Sequence, residues 1–139
     1  MSANSNEPGW VAAAVLVGRF VFAALFIMAV AFKLMDIDAT AAQIAAAGFP
    51  LSGVLVWLAV VFELALVASF LSGRYYAPAA LLAAVYVVFL GFAFHGPDRW
   101  AENQYEFGFF VDHFTFMAGL LYAAAHGPGR LLSPRTASS

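Results

Sequence analysis

Six ionisable side chains stand inside or at the ends of long apolar runs: Arg19, Lys33, Glu63, His95, Asp112 and His113. Histidine changes charge nearer neutral pH than any other side chain, and a carboxylate or ammonium beside it can take up or deliver a proton. Ionisable groups embedded in apolar helices are candidates for functional sites by default. The same groups serve as interhelical glue in many bundles, at about 0.6 kcal/mol per contact, and both readings stay open at this stage. Among specific chemistries, a di-iron centre would need Glu-x-x-His pairs on one helix, and there are none. Asp112 and His113 are adjacent, so on a helix they point ~100° apart and do not share one ion easily. A bis-histidine haem between His95 and His113 rests on residue type alone. No glycine-rich phosphate loop and no nucleophile–base motif is present, and with no Cys there are no thiolate sites or disulfides. No metal site is expected. A quinone ring fits better: Lys33, His95 and His113 supply groups that bond or protonate its oxygens. Phe107, Phe109, Phe110, Phe114 and Phe116 supply apolar walls.

The elements that position these residues follow from composition. The 139 residues are 64% hydrophobic and 10% charged, against about 25% charged in an ordinary soluble domain. A chain of this size cannot hide that apolar surface from water, so its solvent is the lipid bilayer. The formal net charge of −2 gives no reason to expect nucleic acid as a partner. Four apolar runs, residues 10–32, 54–71, 77–94 and 107–125, are each close to the ~20 residues that cross ~30 Å of hydrocarbon as a helix. The first is not a signal peptide: its leading segment has no Lys or Arg and its apolar run is too long. The third run carries no charge and is the one expected to face lipid. The fourth sets eight Val, Leu, Ile or Phe residues against Asp112 and His113, a sum near zero on an insertion scale, so it needs its neighbours to enter the membrane.

Residues 36–50 read as a short interfacial or re-entrant helix, with Asp38 as N-cap and Gly48 and Pro50 as stop signals. The expected architecture is therefore all-α: a single domain over residues 1–139 forming a four-helix transmembrane bundle, with flexible ends at 1–9 and 133–139. With four spans both termini share a side. Arg74, Arg130 and Arg135 on that side outnumber Lys33 and Arg99 on the other, which favours cytoplasmic termini. Arg19 and Glu63 each lie nine residues inside their runs and enter from opposite sides, so they are expected to meet near the midplane. Lys33 lies fourteen residues beyond Arg19 on nearly the same helical face. Lys33, His95, Asp112 and His113 are then expected to share the outer third of the bundle, with Asp112, on one stripe with Phe116 and the close-packing Gly119, facing inward near Lys33 or Arg19 and His113 near His95.

The runs "VGRFVFAALFIMAVAFKLMD", "AAGFPLSGVLVWLAVVFELALVASFLSGR" and "FMAGLLYAAAHGPGRLL" resemble the DoxX family of small four-helix membrane proteins, over about residues 17–132. Gly18-Arg19, Lys33, Phe49-Pro50, Glu63, Gly73-Arg74 and the closing "HGPGR" carry the resemblance. It implies a membrane redox setting, as an accessory or quinone-facing subunit related to a terminal quinol oxidase or thiosulfate:quinone oxidoreductase, in a cell inner membrane. A departure accompanies it. Relatives commonly read Lys-Asn where this chain has Asp112-His113, which makes an anionic sulfur substrate doubtful. The resemblance leaves open whether the chain has an enzymatic activity, and it implies no certain cofactor, a quinone being the candidate. The expected partners are the lipid bilayer, a membrane redox protein and a second copy of the chain. A small proton-coupled transporter and a purely structural membrane partner are the alternative readings.

Overall fold

A computed structural model describes residues 7–134, so Arg135 and most of the two expected flexible ends lie outside the described residues. Within them the chain is all-helical: α1 (Gly9–Met35), α2 (Ile37–Ala46), α3 (Ser52–Ser72), α4 (Tyr76–His95), one 3-10 turn (Pro97–Arg99) and α5 (Gln104–His126). At 1.5 Å per residue the four long helices measure roughly 30–40 Å, enough for a bilayer, whereas α2 at roughly 15 Å is not. All four are also apolar enough to cross a membrane.

The boundaries have local causes. Asp36, rather than the expected Asp38, caps α2 by accepting the Ala39 N–H at 2.9 Å. The reason is that α1 runs on to Met35, leaving a single extended residue between two helices. Gly73 closes α3 at φ +70, a conformation glycine adopts without steric cost. Asn103 opens α5 by accepting the Tyr105 N–H at 3.0 Å.

The chain divides into two compact units, one made of Met1–Tyr75 with Pro128–Ser139 and the other of Tyr76–Gly127. In the first, α1 buries Arg19, Ala23, Phe26 and Val30, and α3 buries Val56, Val60, Glu63, Val67 and Phe70. Both sets follow the alternating four- and three-residue steps of a coiled-coil seam. Phe70 lies against Phe22 and Phe26, with ring centroids 5.5 and 6.0 Å away. In the second unit α4 packs on α5. Seven α4 residues are buried, among them Ala79, Ala80, Ala83, Ala84 and Gly91, against two in α5, Leu120 and Ala124. This corrects the expectation that the charge-free run is the lipid-facing one. In lipid, small side chains that let backbones approach select the packed face, and α4 is rich in them.

Candidate functional site

The six candidates fall into two sets, one in each unit. In the first unit Arg19 is fully buried and Glu63 nearly so, at 0% and 1% exposure. They do not form the expected midplane pair. Glu63 is held by Lys33, whose Nζ lies 2.8 and 3.0 Å from the two carboxylate oxygens. The Arg19 guanidinium instead donates to carbonyls two turns further along α3. Its Nε bonds the Phe70 carbonyl at 2.9 Å and its Nη2 the Leu71 carbonyl at 2.9 Å. Further bonds reach the carbonyls of Pro128, Leu131 and Leu132 and the Ser133 hydroxyl, at 2.7–3.1 Å.

The physical reason lies in helix geometry. Side chains lean toward the N-terminus of their own helix, so each α1 cation acts about a turn before its own Cα. Lys33 shows this directly, since its Nζ also donates to the Ala29 carbonyl one turn back. In the antiparallel α1–α3 pair Phe26 packs on Phe70, seven residues past Glu63, so Glu63 lies opposite the Lys33 end of α1 and Arg19 opposite the C-terminal end of α3.

Arg19 therefore neutralises the carbonyl-rich C-terminus of α3 and ties the segment after α5 to it. Two glycines make room. A Cβ on Gly73 would meet the Ser133 hydroxyl oxygen at 2.7 Å and Arg19 Nη2 at 3.2 Å, and one on Gly129 would meet Val15 at 3.0 Å. Five N–H groups donating in a planar fork are what an arginine offers and a lysine does not. All but one of these bonds go to backbone carbonyls, so the Arg19 set reads as structure.

The second unit holds a different arrangement. The His95 and His113 rings lie 5.2 Å apart, centroid to centroid. His95 Nδ1 is 2.6 Å from a Glu106 carboxylate oxygen, and His113 Nδ1 is 2.7 Å from the Phe109 carbonyl. A carbonyl only accepts, so His113 carries a hydrogen on Nδ1, and an ionised Glu106 requires the same of His95. That leaves Nε2 of each ring as the atom free for a ligand: an acceptor when the ring is neutral, a donor when it is protonated. Neither Nε2 has a hydrogen-bond partner among the described residues.

Aromatic rings lie beside the pair. Phe109 lies 5.3 Å from the His95 ring, and Phe92, Phe110 and Phe114 contact one another at 4.9–6.0 Å. Trp100 packs on Phe110 while its indole N–H donates to the His95 carbonyl at 2.9 Å, closing the end of α4. Gly91 is what lets the two helices meet here. A Cβ at that position would stand 3.0 Å from His113 Cβ and 3.3 Å from its Cγ.

Glu106 was not among the sequence candidates because it read as one more acid of the polar loop. The signal was there: Glu106, Phe110 and His113 fall at i, i+4 and i+7, one stripe of a helix. Asp112 is the opposite case. Expected to face inward, it is exposed, and no hydrogen bond or ion pair engages it among the described residues. The expectation placed Asp112, Phe116 and Gly119 on an inward stripe. The face that packs on α4 instead carries His113, Leu120 and Ala124, about 100° around the helix. Among the described residues, no three His, Asp or Glu side chains converge as metal ligands.

Compared with known families, residues 14–96 match a family model described as DoxX. The match runs from the first turns of α1 through the end of α4, more than half of the chain. It includes Arg19, Lys33, Glu63 and His95 and stops short of Glu106, Asp112 and His113. No curated protein and no solved structure matches the chain.

Proposed function

We propose a function on the premise that the chain belongs to the DoxX family and is a multi-pass membrane protein: it is a quinone-facing accessory subunit of a membrane redox system, residing in a cell inner membrane. The observation that carries this reading is the imidazole pair of His95 and His113, each anchored through Nδ1 and each leaving Nε2 for a ligand, with the Phe109 ring beside His95. A quinone oxygen needs a hydrogen-bond donor and a route for its proton, and an apolar slot around the ring. His113 and His95 donate through Nε2 when protonated and, when neutral, accept there from a quinol hydroxyl. Glu106, on the far side of His95 and next to the polar loop, is placed to pass a proton toward water. A bound quinone would supply a two-electron, two-proton couple, and its electrons would go to a redox centre on a partner protein.

Lys33 leaves the expected site because Glu63 already holds it. That also supports the orientation with both termini in the cytoplasm. Arg74 and Arg130 are exposed at one end of the first unit, while at the other Lys33 is turned inward.

The test is equilibrium binding of a short-chain quinone analogue to the purified protein in detergent. A hydrogen bond to a charged or chargeable group contributes about 1.5–3 kcal/mol, so His113→Gln is expected to weaken binding by roughly tenfold or more. Equal affinity of the wild type and His113→Gln, or no binding by either, would remove the quinone reading. A proton-coupled transporter would instead move solute in proteoliposomes containing this chain alone.

A further inference from the structure

Two bulky residues near the C-terminal end of α3 hold a backbone conformation that side chains rarely adopt. Tyr75 stands at φ +52 and Leu132 at φ +50, and both are exposed, at 81% and 68%. Glycine takes this region without steric cost. A tyrosine and a leucine there store strain, which persists only where the surroundings impose it and clusters at ligand-binding positions. Arg19 imposes it at Leu132. Its guanidinium draws the Leu131 and Leu132 carbonyls and the Ser133 hydroxyl toward the end of α3, at 2.7–3.1 Å. With the backbone held inward, the Leu132 side chain is turned out of the protein.

Charge accompanies the strain. Arg74 and Arg130 are exposed, and neither guanidinium has a hydrogen bond or ion pair among the described residues. They stand on the two segments that Arg19 joins, where one nitrogen, Nη2, bonds the Leu71 carbonyl at 2.9 Å and the Leu132 carbonyl at 3.1 Å. Residues 72–76 and 127–134 contain no Asp or Glu. Arg19 also offsets the partial negative charge of the α3 carbonyls, so this end presents positive charge. At 21 residues α3 spans roughly 30 Å, which puts its end at the level of the lipid headgroups.

We propose that this end of the first unit binds an anionic phospholipid. Arg74 and Arg130 hold its phosphate, while Tyr75 and Leu132 lie against the glycerol and the upper acyl chains. A planar guanidinium matches phosphate oxygens with two parallel N–H donors. Tyrosine sits at headgroup depth in membrane proteins, and an exposed leucine gains by leaving water for acyl chains. The occupant is a lipid rather than a free anion because half of the surface is apolar. The loop between α4 and α5 gives the contrast: its cation, Arg99, stands between the acids Asp98 and Glu102, which repel an anionic headgroup. The inference uses the first unit alone and does not draw on the quinone reading.

The test is native mass spectrometry of the full chain, delipidated in detergent and titrated with phosphatidylglycerol or with phosphatidylcholine of the same acyl chains. One phosphatidylglycerol is expected to bind roughly fivefold or more tightly than phosphatidylcholine. Arg74→Gln and Arg130→Gln, both at exposed positions that carry no packing, are each expected to lose most of that preference, and Arg99→Gln none of it. Leu132→Gly removes the side chain and the strain together, and is expected to weaken binding of both lipids in a protein that stays folded. Equal binding of the two lipids would overturn the inference, as would wild-type preference in both Arg74→Gln and Arg130→Gln, or a loss in Arg99→Gln as large as theirs. Displacement of the lipid by an equal concentration of glycerol 3-phosphate, or unchanged binding in Leu132→Gly, would reject the lipid and leave a site for free anions.

Discussion

At the scale of single residues, the chain separates charges that hold it together from groups that can do chemistry. Arg19 and Glu63 are both buried, yet each has its own partner set, and no buried side-chain polar atom among the described residues lacks a hydrogen bond. Removing Lys33 leaves the buried Glu63 carboxylate, 1% exposed, uncompensated. Lys33→Met is therefore expected to destabilise the protein by about 3–5 kcal/mol, while adding Glu63→Leu recovers most of that loss. Thermal aggregation midpoints of the wild type and both variants in detergent check this. A double variant no more stable than the single would mean that the pair does more than neutralise itself. The residue types and their membrane setting were legible in the sequence; their pairing was not. Equal depth of the Cα atoms pointed to Arg19 with Glu63, but a long side chain acts a turn away from its Cα, and an arginine is satisfied by carbonyls as well as by carboxylates.

The helices set what each residue can reach. The α1 and α3 seams were half legible, since the fourteen-residue spacing of Arg19 and Lys33 already put them on one face. Which face of α5 packs was not legible. Asp112 and His113 lie ~100° apart, and Gly119 offered a reason to turn Asp112 inward. The decision comes instead from α4, where Gly91 gives His113 its seat. That makes Gly91 a test of how α4 and α5 position the site. In an open helix Gly→Ala gains about 1 kcal/mol, but here the added methyl presses on His113, and overpacking costs about 1–3 kcal/mol. Gly91→Ala is expected to leave the protein folded, with a melting midpoint near that of the wild type, while weakening quinone-analogue binding by displacing the His113 ring. Undiminished binding would show that the seat of His113 is not part of the site.

For the molecule as a whole, the sequence already specified an all-helical protein with four long apolar helices, because no soluble arrangement accommodates 64% hydrophobic residues in 139. The segment after α5 was less legible. Its Gly127-Pro128-Gly129 run read as a family signature, but its use is physical, bringing the Pro128 carbonyl to Arg19 beside the end of α3. That contact places Arg74 and Arg130 at one end of the first unit. Cysteines introduced singly at Ser72 and Ala101, both exposed, are expected to label oppositely with an impermeant thiol reagent on intact cells. Ala101→Cys should react and Ser72→Cys should not; the reverse pattern would invert the orientation. The most direct measurement for the proposed function is photolabelling of the membrane-embedded protein with an azidoquinone, followed by mapping of the modified residues. Label confined to the segments around Phe92–His95 and Glu106–Phe114, and displaced by excess unmodified quinone, is the expected result. Label spread along the lipid-facing surfaces of α1 and α3, or label that excess quinone does not displace, would contradict a quinone site at the His95–His113 pair.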